Sequence, residues 1–314
     1  MKKTALKRGL VLGCGGVAGG AWSIAALHNL QSQLDWDPRS ADIIIGTSVG
    51  AVLAALLSGG VSVEQLMACQ RGDADSACVW NHDKDSGPAF PPRPRLGLTG
   101  AGLALKGLRG EVPTMVALCG LAPAGGFDMT PFRRLVDAIV PAGEWAPRDG
   151  VWMMAVDNQT GERVALGRED APRAALNDAV CASYGVPGWC PPVRIEGRDY
   201  IDGGVVSPTS ADFLASADVD EVILLAPMAS SQPDAPRSPL ARIERRIRRG
   251  MTRLVDREAA LLEAAGKRVI RLEPNAQDLQ AIGYNMMDPG RRLQVFNTAL
   301  NTTAVELKSV LAAA

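Results

Sequence analysis

The sequence predicts an α/β protein with a mostly parallel central sheet, and three observations carry that expectation. Two short apolar runs, Leu10-Val11-Leu12 and Ile43-Ile44-Ile45, each lead through glycines into a helical stretch. This β-loop-α-β-α order is the grammar of parallel strands joined by crossover helices. The alternation of strand and helix signals then continues past residue 226, in a chain of 314 residues with 47% apolar side chains. Such a chain is long enough to bury a substantial core.

Taken in order, Leu10-Val11-Leu12 reads as a buried strand, the glycine-rich stretch 13–20 as a loop, and 21–34 as a helix. The second run ends in Gly46-Thr47-Ser48-Val49-Gly50, a G-x-S-x-G pentapeptide, and continues as a helix that stops at Gly59-Gly60. A strand that ends in this pattern and turns directly into a helix must bend sharply. The glycines allow the close approach, and the serine hydroxyl is left at the apex beside a helix N-terminus that favours negative charge. From 71 to 126 the pattern loosens, with Gly87-Pro88, Pro91-Pro92 and Pro94, and a long insertion of this kind reads as a lid. Thr130-Pro131 opens a helix. Strands follow at 151–156 and 163–166 around a turn at 158–161, then a helix at 173–183, a short strand at Tyr200-Ile201 and a buried strand at 221–226.

Leu240, Ile243, Ile247, Met251 and Leu254 recur at helical spacing inside a predicted helix over 240–262. Between 237 and 257 eight arginines face only Glu244 and Asp256, a local charge of +6. The preferred reading packs the apolar stripe on the domain; the alternative lays a basic amphipathic helix on an anionic membrane. The expected organisation is an α/β domain over 1–235, with the loose insertion at about 71–126, and a helical region over 236–314 packed on the same domain.

Composition excludes several classes. With 33 basic and 34 acidic side chains the net charge is −1, so no global field points to nucleic acid. The six cysteines, at 14, 69, 78, 119, 181 and 190, form no C-x-x-C pair and do not cluster with histidine, so no metal site is expected. They read as small buried apolar residues in a reducing compartment. Lys2, Lys3, Lys7 and Arg8 ahead of Leu10 to Cys14 imitate a signal peptide, but the apolar run is shorter than the roughly 7 to 15 residues a signal needs. No apolar stretch approaches the roughly 18 residues of a membrane span. A cytoplasmic protein, with peripheral membrane contact at most, is the expectation.

A nucleophilic serine needs a base. The only histidines are His28 and His82, and an ordinary α/β-hydrolase places its histidine last, after the serine and the acid. The base is therefore expected to be a carboxylate, and Asp202, between Tyr200-Ile201 and Gly203-Gly204, is best placed for it. The N–H groups of Gly15, Gly16 and Val17 can converge on an oxyanion. Gly13-x-Gly15-x-x-Ala18 with Asp35 also satisfies a dinucleotide-binding pattern, but Asp35 and Asp37 precede the second strand instead of ending it, which disfavours that reading.

These pieces in this order resemble the patatin-like phospholipase family: the loop at 13–20, Gly46-Thr47-Ser48-Val49-Gly50, and Asp202-Gly203-Gly204, joined by Phe127-Asp128-Met129-Thr130-Pro131 and the run from Ala182 to Val193. The likeness spans roughly 8–230. It implies a three-layer α/β/α fold and a Ser-Asp dyad that hydrolyses acyl esters of lipids without metal or organic cofactor. Ser48 would attack the ester carbonyl, Asp202 would act as general base, and Gly15, Gly16 and Val17 would bind the oxyanion. Two departures stand out: Ala18 where the family usually carries arginine or lysine, and Cys14 where it carries glycine. They motivate an alternative, a catalytically weak lipid-binding or regulatory protein; transfer of the acyl group to another alcohol is a further one.

Overall fold

The computed structural model describes residues 6–73, 80–93 and 95–313. Its frame is an eight-stranded sheet built from the predicted apolar runs. The strand β1 (Arg8–Leu12) leads into helix α1 (Gly16–Leu34), then β2 (Ile43–Thr47) into α2 (Val49–Ser58), which ends at Gly59. β1 and β2 pair in parallel, Leu10 beside Ile44 and Leu12 beside Gly46. The apparent signal-like run is thus a fully buried strand of the core; Lys2 and Lys3 lie outside the described residues.

Helix α1 starts at Gly16, five residues before the predicted start at 21, so most of the glycine stretch is helical. Glycine disfavours a helix interior by about 1 kcal/mol against alanine, which hides such a start from sequence pattern. Packing decides it here: a Cβ on Gly20 would stand 2.7 Å from a Val49 methyl, so α1 and α2 meet through bare backbone.

After α3 (Val63–Arg71), the 71–126 insertion is more regular than its composition predicted. It carries the short helix α4 (His82–Asp85), strand β3 (Arg95–Leu98), helices α5 (Ala101–Leu108) and α6 (Thr114–Leu121), and strand β4 (Pro123–Ala124). β3 and β4 form a separate antiparallel pair that closes the α5–α6 hairpin. The inner face of the hairpin buries Leu103 and Val116 against Val156 and Ile201.

Next come α7 (Thr130–Asp137), β5 (Val151–Asp157), β6 (Arg163–Leu166), α8 (Leu176–Ser183), β7 (Val193–Ile195), β8 (Arg198–Asp202) and β9 (Glu221–Leu225). The chain ends with α9 (Pro239–Ala264), β10 (Arg268–Leu272), α10 (Ala276–Ile282) and α11 (Arg292–Ala313). The sheet runs β10-β9-β1-β2-β5-β8-β7, with β6 also on β5. β10, β9, β1, β2 and β5 are parallel, and β6, β7 and β8 complete a mixed region by antiparallel pairs.

Successive side chains of a strand point to opposite faces. Leu10, Leu12 and Ile44 face the layer of α1, α2, α8 and α11, while Val11, Ile45, Val222 and Leu224 face Val255 and Leu262 of α9. The result is a three-layer α/β/α protein. The segment after 236 adds an edge strand, β10, to this sheet besides its helices.

Two expectations are corrected. The apolar stripe of α9 does not pack on the domain over its first half: Leu240, Ile243 and Ile247 are 54%, 59% and 43% exposed, while Met251 and Leu254 are half-buried. The helix buries Glu244, Arg245 and Arg248 instead, because those charges find partners inside. Cys69 is disulfide-bonded, against its reading as a plain apolar side chain; Cys14, Cys119, Cys181 and Cys190 are free, and Cys78 lies outside the described residues. Among the described residues no helix is long and apolar enough to cross a membrane.

Candidate active site

The site originates in how β5 shares its edges. β6 takes one edge along Met153 to Val156. The other edge is divided: β2 pairs with it as far as Thr47 beside Met154, and β8 pairs with the next residues, Asp202 beside Ala155. β2 runs with β5 and β8 runs against it, so the two strands meet end to end. Ser48, one residue beyond β2, and Asp202, the last residue of β8, are therefore brought together at the junction. Sequence reasoning placed Asp202 at the carboxyl edge of a parallel sheet; the structure brings it in on an antiparallel strand from beyond that edge.

Ser48 sits at φ 57°, ψ −122°, outside the regions an L-residue prefers, and is 3% exposed. Such backbone costs on the order of 1–3 kcal/mol and persists only where the surroundings enforce it. Two glycines make the bend feasible. A Cβ on Gly46 would stand 2.5 Å from the Ala51 Cα, and one on Gly50 2.0 Å from the Leu12 carbonyl oxygen. Ser183, fully buried at the end of α8, locks the turn: its Oγ accepts the Ser48 N–H at 2.9 Å and donates to the Met154 carbonyl at 2.6 Å. Sequence reasoning named Ser183 only as part of a longer segment and assigned it no task; a serine closing a helix before Tyr184-Gly185 carries no signal of its own.

The Ser48 hydroxyl lies beside the Asp202 carboxylate and pulls its pKa down, and the Gly204 N–H donates to Asp202 Oδ1 at 2.7 Å. Burial pushes the Asp202 carboxyl up to about 7, against the pull of those two groups. The Asp202 N–H is held by the Gly185 carbonyl at 3.0 Å, and the Phe127 N–H by the Trp189 carbonyl at 2.9 Å. The segments flanking Pro131 and Asp202 are thereby tied to one another.

The third predicted component lies beside the first two. Cys14 donates its N–H to the Pro208 carbonyl at 2.8 Å, and its Sγ stands 3.0 Å from where a Cβ on Gly204 would be. The glycine loop thus abuts the turn after Asp202. Cys14 is not among the described non-glycine residues with positive φ, so glycine is not needed at that position; burial pushes its thiol up, which keeps it neutral. Among the described residues the N–H groups of Gly15, Gly16 and Val17 have no hydrogen-bond partner, whereas Ala18 N–H donates to the Met286 carbonyl at 3.0 Å. Three free donors at the start of α1 are suited to an anion.

Met286 is itself backed by α9. The buried Arg248 donates to the Pro227 and Ala229 carbonyls at 2.6 and 3.2 Å, to Glu244 at 2.9 Å, and touches Met286 Sδ at 3.5 Å. Pro227 in turn packs within 3.0 Å of a Cβ position on Gly15. From Val17 and Val49 a narrow apolar cavity of about 80 Å³ runs inward past Ile24, Leu53, Leu56 and Phe132. His82 lines it with Nε2 3.1 Å from the Cys69 carbonyl oxygen. Asp35 caps the far end of α1, about 28 Å along the helix from Gly16, which removes the partner a dinucleotide site would need. Among the described residues no cluster of three or more His, Cys, Asp or Glu side chains is arranged to hold a metal ion.

The family model for patatin-like phospholipases matches residues 10–215, a span that holds Ser48, Asp202 and the glycine loop. The chain belongs to the patatin-like phospholipase family. Among solved structures, VipD from Legionella pneumophila is similar at 13% identity over 97% of this chain and 67% of that one, with a TM-score of 0.45. The type III effector protein ExoU is similar at 13% identity over 97% of this chain and 53% of that one, with a TM-score of 0.35. In this patatin-like chain the region after residue 215, with β9, β10 and the helices α9 to α11, lies outside the matched span.

Proposed function

We propose that the protein is a serine acyl-ester hydrolase acting on lipid substrates through a Ser48–Asp202 dyad. The observation that carries this reading is the junction of β2 and β8, which leaves the strained, buried Ser48 beside a buried carboxyl held near neutrality. In this reading Asp202 removes the Ser48 proton as Oγ attacks the ester carbonyl. The oxyanion takes up the free N–H groups of Gly15, Gly16 and Val17, and the alcohol leaves with the proton returned by Asp202. Water then attacks the acyl-enzyme by the same route, with Asp202 again as base. The apolar cavity beside Val17 and Val49 holds the acyl chain, and the 71–126 insertion, whose Trp80, His82 and Ser86 line that cavity, covers it as a lid.

The test is turnover of short-chain p-nitrophenyl esters by wild type and Ser48→Ala, together with labelling by a fluorophosphonate. Turnover and labelling that both vanish in Ser48→Ala are expected, with a loss of at least about 10³-fold. Wild-type rates in the variant would exclude the mechanism. A wild type that is neither labelled nor active would favour the lipid-binding alternative. Added alcohols, with analysis of the products, separate hydrolysis from acyl transfer.

A further inference from the structure

Helix α9 presents outward what an amphipathic helix normally hides. The stripe of Leu240, Ile243 and Ile247 is exposed, and Leu261 continues it at 55% exposure. At about 100° per residue, Arg242, Arg246, Arg249, Arg253 and Arg257 fall in one sector beside that stripe, and all five are exposed. Among the described residues none of the five pairs with a carboxylate, whereas the inward Arg245 and Arg248 are both ion-paired. Exposed aliphatic side chains at 240, 243, 247 and 261 and a parallel row of guanidinium groups without a carboxylate partner thus lie along a helix of 26 residues.

We propose that this face of α9 is the surface by which the protein docks on an anionic membrane, lying in the plane of the interface. The aliphatic stripe enters the boundary between headgroups and acyl chains, and the arginine row meets the lipid anions. The pairing of the two features singles out this occupant. A nucleic acid backbone would satisfy the arginines and leave the stripe in water. A second copy docked through the same face in two-fold symmetry would bring a helix of like charge against its twin. The purpose of docking rests on the lipid-hydrolase reading, since Arg248 on the underside of α9 holds Pro227 and Met286 against the glycine loop. The docking itself is measurable without turnover.

The experiment is co-sedimentation of the full chain with vesicles of phosphatidylcholine alone or mixed with phosphatidylserine, at low and high salt. Binding is expected only to the mixed vesicles, with release at high salt. Arg246→Gln with Arg249→Gln is expected to weaken it about 25-fold, at roughly fivefold per charge. Ile243→Ser with Ile247→Ser is expected to weaken it at unchanged charge. Both double variants keep wild-type turnover of a soluble short-chain ester, and Ser48→Ala binds vesicles as wild type does. Equal binding to both vesicle types, full binding by the arginine variant, or binding to heparin but not to vesicles would overturn the proposal. So would a dimer in solution that the Ile243→Ser, Ile247→Ser pair dissociates. Turnover without vesicle binding sinks this inference alone; vesicle binding without turnover sinks only the hydrolase reading.

Discussion

At the scale of single residues the proposed chemistry rests on one shifted carboxyl and one strained serine. In that proposal Asp202 acts as a base only when ionised, so kcat/KM for a soluble ester is expected to rise about tenfold per pH unit up to about 7 and then level off. The same shift opposes folding. Because the folded-state value lies above the unfolded one near 3.8, the unfolded chain gives up its proton first, and this group removes stability as pH rises from about 4 to 7. Asp202→Asn should therefore be inactive yet more stable than wild type by about 2 kcal/mol at pH 8, with little difference at pH 4. Urea unfolding at the two pH values measures this; an equal offset at both would refute it. Ser183 holds the Ser48 backbone through its hydroxyl, and in the proposed mechanism it positions the nucleophile. Ser183→Ala is expected to lower kcat about tenfold with KM little changed, and to cost about 1–3 kcal/mol because the Ser48 N–H loses its buried acceptor. An unchanged kcat in a destabilised variant would reduce Ser183 to packing. Ser48 and Asp202 were both singled out as candidates from their neighbours in the chain. Ser183 was not, since its partners are 135 and 29 residues away.

At the scale of elements the decisive feature is the bend from β2 into α2. Gly50 lies against the Leu12 carbonyl, so Gly50→Ala forces β1 and α2 apart and should cost about 3 kcal/mol in unfolding free energy along with most of the activity. An active variant of native stability would show that the junction can relax. Local pattern located β1, β2, β5 and β9 because each carries an apolar run closed by a turn, and it missed β3, β4, β7 and β10, which are short or interrupted by charge. It misplaced the start of α1 because glycine is a poor helix former, and only the packing against Val49 explains glycines there. It also misjudged α9: helical spacing identifies an apolar stripe but is silent on which side finds partners. Buried salt bridges from Glu244 to Arg245 and Arg248 turned the helix over. Arg248→Met should cost about 3–5 kcal/mol, because Glu244 loses a partner and two buried carbonyls lose their donor.

At the scale of the whole molecule, the segment after 235 pairs with and packs on the elements that carry the site. β10 pairs with β9 from Arg268 beside Glu221 to Leu272 beside Leu225, and Asn29 of α1 donates to the Leu300 carbonyl and to Thr303 of α11. Met286, from the same segment, accepts the Ala18 N–H at the edge of the glycine loop. A chain ended at residue 235 exposes the edge of β9 and the outer face of α1. It is expected to lose its cooperative thermal transition and to bind the dye ANS. A soluble fragment with a sharp transition and esterase activity would instead make 1–235 a domain in its own right.

The sequence by itself determined the α/β class, through its alternation of strand and helix signals, and singled out the candidate serine, aspartate and glycine loop, because each of those three is written in a contiguous stretch of ten residues or fewer. Tertiary structure decided how those stretches meet. Which edge of β5 each strand occupies, whether β8 arrives parallel or antiparallel, and which face of α9 is buried depend on pairings and charges far apart in the chain. A local pattern records what a segment can bury; which partner it is buried against depends on the other segments.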